Sequence, residues 1–117
     1  MAGHSIINYK GVDISYLDYR GLTTKEMIDA IDVAVKQTLS NNKSIPLLTN
    51  IKDAYAVPEF MQKAKKAGKE IKHLTPKSAI VGVNGAKKIL VNTYNIFTKS
   101  DTKVFDDEES AKEWLIK

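Results

Sequence analysis

The chain has 117 residues, 43% hydrophobic and 27% charged, with no cysteine and a formal charge of +4. That length makes one domain, 1–117, able to bury roughly two-thirds of its unfolded surface. The lack of cysteine excludes disulfides, thiolate nucleophiles and Cys-ligated metals, and no apolar run approaches the ~18 residues of a membrane span. The N-terminus, MAGHSIINYKG, has neither the basic flank nor the apolar core of a secretory leader. A soluble, cytoplasmic protein is expected. Charge is unevenly spread: residues 1–51 carry five basic and five acidic side chains, residues 52–103 eleven and four, residues 104–117 two and five. Lysine-rich helix faces are ordinarily just solvated, yet such asymmetry permits an anionic partner.

Ser5–Tyr9 and Ile14–Arg20 are short, β-branched and aromatic, with Lys10-Gly11 between them, which reads as an antiparallel hairpin. After Gly21, Ile28, Ile31, Val35 and Leu39 recur at steps of three and four, predicting an amphipathic helix. Thr23 or Thr24 caps its first amides, Glu26, Asp29 and Asp32 lie toward the positive end of its dipole, and Asn41-Asn42 stops it. SIPLLTNI is a continuous apolar run, as expected of a parallel strand covered on both faces or nearly so. Pro46 belongs at its start, and Pro58 opens the next helix. That helix turns Phe60, Ala64, Ala67 or Gly68, Ile71 and Leu74 inward and Lys63, Lys65, Lys66, Lys69 and Lys72 outward. SAIVGV is a further strand. Gly85 precedes a helix over 86–99 whose expected inner stripe is Ile89, Leu90, Thr93 and Phe97. TKVF is a last short strand. DDEESAKEWLIK closes the chain as a helix with Asp106 and Glu109 at capping-box spacing and Ala111, Trp114 and Leu115 buried. The order ββαβαβαβα, with right-handed crossovers, predicts an α/β fold: a four- to five-stranded, mainly parallel sheet, an N-terminal hairpin and four flanking helices.

Three stretches, ISYLDYRGLTTKEM, LLTNIKDAYAVPEFMQKAKKAGKE and KSAIVGVNGAKKILVNTYNIFTKSDTKVFDDEESAKEWL, together resemble the SpoIIAA-like group of the STAS superfamily, and nearly the whole chain is covered. Part of that group is functionally unassigned, and some members are grouped with lipid-binding CRAL-TRIO domains. The resemblance implies protein-binding or ligand-sensing roles rather than catalysis. Regulatory members carry a phosphorylatable serine in an Asp-Ser-Ser-Gly-like turn entering the second helix. The matching stretch here is Asp53-Ala54-Tyr55-Ala56-Val57-Pro58, with no serine, so a serine-kinase switch is not expected.

Ligands of parallel α/β sheets gather at the carboxyl ends of the strands, where loops meet helix N-termini. Two such loops are candidates, and sequential strand order would make them neighbours. One holds Asn50, Lys52, Asp53 and Tyr55. The other holds Gly82, Asn84, Gly85, Lys87 and Lys88. Free helix amides, glycines that admit an oxygen and two lysines are the parts of an anion site, although two glycines around a strand-to-helix turn occur in many folds. Asp53 is expected to turn the chain by bonding nearby amides. Tyr55 is either a recognition ring or a cover for the sheet edge.

Catalysis is poorly supplied. His4 and His73 are the only histidines, and no Ser-His-Asp set, glycosidase-like carboxylate pair or metal cluster is recognisable. Asp106, Asp107, Glu108 and Glu109 read as capping carboxylates. Nucleic-acid binding would want aromatics among the lysines, and Lys63–Lys77 has none. No cofactor is expected. Two binding readings follow. The preferred one is a module docking a protein partner through the second helix and the loop before it. The alternative is a carrier holding a small anionic ligand or lipid between the two loops. Large side chains (Phe60, Tyr94, Phe97, Trp114) imply a filled interior and favour the module. A homodimer is left open.

Overall fold

A computed structural model describes residues 3–117. The chain runs β1 (Gly3–Tyr9), β2 (Val12–Asp18), α1 (Thr24–Asn41), β3 (Leu47–Asn50), α2 (Pro58–Ile71), a 3-10 turn (Lys72–Leu74), β4 (Ser78–Val81), α3 (Gly85–Thr98), β5 (Lys103–Phe105) and α4 (Glu108–Leu115). The hairpin turn places Lys10 at φ +51° and Gly11 at φ +87°, the two left-handed positions of a turn whose twist matches its strands. Thr23 caps α1 in a complete capping box with Glu26, and Pro58 begins α2.

The five strands lie in the order β1-β2-β3-β4-β5. β1 is antiparallel to β2, and the other three pairings are parallel. Each right-handed crossover advances the sheet in the same direction, so α1, α2 and α3 share one face. On that side Leu17, Tyr19, Leu47 and Ile51 meet Met27, Ile31, Phe60 and Ala67. α4 covers the opposite face, where Ile14, Leu48, Ala79 and Val81 meet Ala111 and Leu115. Adjacent Leu47 and Leu48 thus serve opposite cores, which is why β3 reads as an unbroken apolar run.

Three expectations are corrected. α1 buries Met27, Ala30, Ile31 and Ala34, while Leu39 is 44% exposed. The buried arc runs from Met27 through Ile31 and Ala34 to the half-buried Thr38, and Leu39, one residue on, lies ~100° round the helix from it. α3 directs Leu90, Val91 and Tyr94 to the interior and buries Thr98. Ile89 and Phe97, expected inside, are 68% and 45% exposed. α3 leans on α2 rather than lying flat on the strands, and this rotates its buried arc. On α4 the cap is Asp107, not Asp106, and its Oδ1 accepts the Ser110 amide at 2.7 Å.

Candidate functional site

The carboxyl ends of β2 and β3 are tied to the start of α4 by a hydrogen-bonded network. Asn50 is 4% exposed. Its Nδ2 donates to Glu108 Oε2 at 2.7 Å and its Oδ1 accepts the Lys52 amide at 3.0 Å. Tyr16 donates to the same Glu108 oxygen at 2.5 Å. Burial, and then that carboxylate, push the phenol up to about 12. Arg20 clasps the buried Asp18 with Nε and Nη2 at 2.9 and 2.8 Å, holding its carboxyl below the ordinary value. Asn50 is therefore a buried strut, correcting its expected place on a displayed corner. It also performs the turn-closing role expected of Asp53, because an Asn at a strand end reaches the amide two residues on. Glu108, read as a cap, is the α4 carboxylate that binds the carboxyl ends of β2 and β3.

Sequential strand order does bring the two loops together. Ile51 N donates to Val81 O at 3.0 Å, and Lys87 Nζ donates to Ile51 O at 2.9 Å. Gly82 lies at φ +84°, and a Cβ there would stand 2.4 Å from the Lys52 backbone nitrogen. Only glycine allows this approach. Asn84 accepts the Lys87 amide at 3.1 Å and so caps α3, and Gly85 begins that helix. Asp53 sits at φ +61° on an exposed tip. Lys52, its neighbour in the chain, and Lys88 are also exposed, and Tyr55 is 83% exposed. Of the nine candidates, Lys52, Asp53, Tyr55 and Lys88 are displayed. Asn50, Gly82, Asn84 and Lys87 hold the corner in shape, and Gly85 has open space around it.

Two features escaped the sequence reading. The first is the outer face of α3, where Ile89 and Ile96 are 68% and 79% exposed. Beside them the Phe97 ring lies under the α2 lysines, with Lys69 Nζ 4.3 Å from its centroid. The spacing of Ile89 and Ile96 was a usable signal, masked by assigning Ile89 to the core. The second is a cavity of about 100 Å³ roofed by α3, where a filled interior was expected. Ala64, Ala67 and Gly68 on α2 are too small to fill the space that Ile89 and Phe97 vacate by turning outward.

His4 Nε2 and Ser15 Oγ meet at 2.8 Å across the hairpin, a Ser-His contact that the sequence separation hid. Ser15 is buried, the neighbouring void is about 10 Å³, and burial lowers the histidine's pKa. Too small for a substrate, the void leaves this pair a structural bond. Among the described residues no group of three or more His, Asp or Glu side chains is placed to hold a metal ion, and no helix is long and apolar enough to cross a membrane.

A five-stranded, mostly parallel sheet with an N-terminal antiparallel hairpin and four helices is the SpoIIAA-like fold. The SpoIIAA-like family model matches residues 14–116, and the chain belongs to the SpoIIAA-like family. No curated protein and no solved structure gives a significant match.

Proposed function

We propose that this domain is a non-catalytic interaction module that docks an acidic protein partner through the outer face of α3 and the adjoining loop 52–55. The observation that carries this reading is the exposure of Ile89 and Ile96, 68% and 79%, on one line of a helix in the part of the chain richest in lysine. Isolated exposed apolar residues need no explanation, but a line of them beside aromatic rings supports a contact surface. Lys52, Lys65, Lys69 and Lys88 rim it, so the complementary surface is an apolar ridge flanked by carboxylates. Tyr55 adds a rigid aromatic anchor at one end. The docking helix is α3 and not α2, whose solvent face displays Glu59, Gln62, Lys66, Lys69 and Glu70. The domain acts by binding and turns over no substrate of its own.

A photoreactive amino acid placed at Ile96, and separately at Tyr55, tests the surface in cells. Val33 on α1, 46% exposed, serves as the control position. The expected result is one protein adduct common to Ile96 and Tyr55, whose purified form binds the unmodified domain. Equal adducts from Val33, or adducts that fail to reconstitute from purified proteins, would refute the reading.

A further inference from the structure

β1 is an edge of the sheet and pairs, among the described strands, with β2 alone. The register shows which of its main-chain groups are free. Ser15 N donates to Pro46 O and Tyr19 N to Asn50 O, each at 2.9 Å, so the odd-numbered residues of β2 turn their amides and carbonyls toward β3. Ile6 lies opposite Ser15, His4 opposite Leu17 and Asn8 opposite Asp13. Opposed residues of an antiparallel pair alternate between bonded and non-bonded, and these three pairs are of the second kind. His4, Ile6 and Asn8 therefore direct their N–H and C=O groups away from the sheet.

Sheet edges are ordinarily blunted by charge, proline, a bulge or brevity. β5, the other edge, is three residues long and begins with Lys103. β1 has none of these guards. Its seven residues, GHSIINY, hold no Asp, Glu, Lys, Arg or Pro, and its register runs unbroken from Gly3 opposite Asp18 to Tyr9 opposite Val12, with no bulge. Ile6 is 39% exposed. Burial lowers the His4 pKa, which keeps that ring neutral at pH 7. Lys10, just past the strand, is held by Glu113 at 2.6 Å. Thr38 and Asn41 of α1, which share a small void with Ile6, are polar and uncharged.

We infer that β1 is a dimerisation edge, at which a second copy of this chain pairs antiparallel about a twofold axis at Ile6 and joins the two sheets into one. In that register Ile6 meets its own counterpart, and His4 meets the counterpart of Asn8. Every outward N–H and C=O of the three residues then finds a partner, as in other strand additions. A twofold sets each residue at its axis against itself, where like charges would repel. An uncharged strand centred on an isoleucine fits such self-pairing. The strand order also places β4, within the lysine-rich stretch 52–103, and β5 farthest from the seam, so the two like-charged regions point apart. β1 precedes residue 14, where the family match begins, and the edge is a feature of this chain. None of its residues belongs to the α3 face or to loop 52–55, and the inference stands or falls apart from that docking surface.

Sedimentation equilibrium of the full chain, 13.0 kDa, from micromolar to hundred-micromolar concentration reads the assembly. A monomer–dimer equilibrium is expected. Ile6→Lys, which opposes two ammonium groups at the axis, should weaken the dimer at least ten-fold while circular dichroism shows the fold intact. The chain has no cysteine, so one introduced thiol reports the register. Ile6→Cys should oxidise to a disulfide-linked dimer, because bonded opposite residues have Cα atoms ~5.5 Å apart, within the span of a disulfide. Asn8→Cys should not, because its own counterpart would lie four residues along the seam, ~14 Å away. If Ile6→Lys fails to fold, the two cysteine variants decide. A monomer at every concentration, an Ile6→Lys protein that dimerises like the parent, or equal cross-linking of the two cysteine variants would overturn the inference.

Discussion

Gly82→Ala should be the most damaging small substitution at the carboxyl edge of the sheet. Gly82 holds φ +84°, and its new Cβ would lie 2.4 Å from Lys52 N, 2.7 Å from Lys52 Cα and 2.9 Å from Lys52 Cβ. A left-handed alanine costs ~1–2 kcal/mol. Relieving an overlap with backbone costs a further ~1–3 kcal/mol, as overpacking does. Together these give ~2–5 kcal/mol, a large share of the ~5–15 kcal/mol that holds a domain together. Unfolding entropy near 2.1 cal/mol/K per residue makes each kcal/mol worth ~4 °C for 117 residues, so Tm should fall by ~8–20 °C. Gly85→Ala is the matched control: it lies three residues on, at the start of α3, with nothing within 4 Å of an added Cβ. There the same change should be neutral or stabilising by up to ~1 kcal/mol, through reduced freedom of the unfolded chain. Differential scanning calorimetry of both variants decides the point. A Gly82→Ala protein melting within ~2 °C of the parent would refute the close approach of the two loops on which the site's shape depends.

Four further outcomes are expected. Gly68→Ala should destabilise by ~1–3 kcal/mol because its Cβ meets the Tyr94 hydroxyl at 2.3 Å; Tyr94→Phe alone should be nearly neutral, and a denaturation double-mutant cycle that shows no coupling would contradict that packing. Tyr55→Ala with Lys52→Ala should shift Tm by no more than ~2 °C, because exposed loop tips contribute little, and a large loss of Tm would make the loop structural. Arg20 depresses the Asp18 carboxyl, so the stability this pair adds is present above the unfolded value of ~3.9 and is lost as pH falls through the lower folded value; the deficit of Arg20→Ala relative to the parent in urea melts should shrink on going from pH 7 to pH 2, and a constant deficit would oppose it. Incubation with anti-sigma-type kinases should add no phosphate between residues 49 and 58, where intact mass and peptide mapping would reveal one; the segment has no serine, and Thr49 is half-buried within β3.

The fold was legible because periodicity and punctuation agree along the chain. Lys10-Gly11 turns the hairpin, the Thr23–Glu26 box starts α1, and Pro58 starts α2. The apolar run at Leu47-Leu48 announced a strand covered on both sides. What stayed hidden depends on how helices settle against one another. α3 carries enough apolar residues for two different stripes, Ile89–Thr93–Phe97 or Leu90–Tyr94–Thr98, and only its lean against α2 chooses the second. That choice exposes Ile89 and Ile96 and opens the cavity, so docking surface and pocket were lost to sequence reading together. At the carboxyl edge, chain order was enough to bring the two loops together. It could not show that Asn50 faces inward to Glu108, a contact across 58 positions of sequence.

The most direct test of the docking surface is the dissociation constant of Ile89→Asp with Ile96→Asp for the partner recovered by cross-linking, measured beside Val33→Asp. All three changes place charge at exposed positions, so Tm should hold in both variants. Affinity should drop at least ~10-fold, about 1.4 kcal/mol, for the α3 variant alone. Unchanged affinity in that variant, or an equal drop for Val33→Asp, would contradict docking through α3.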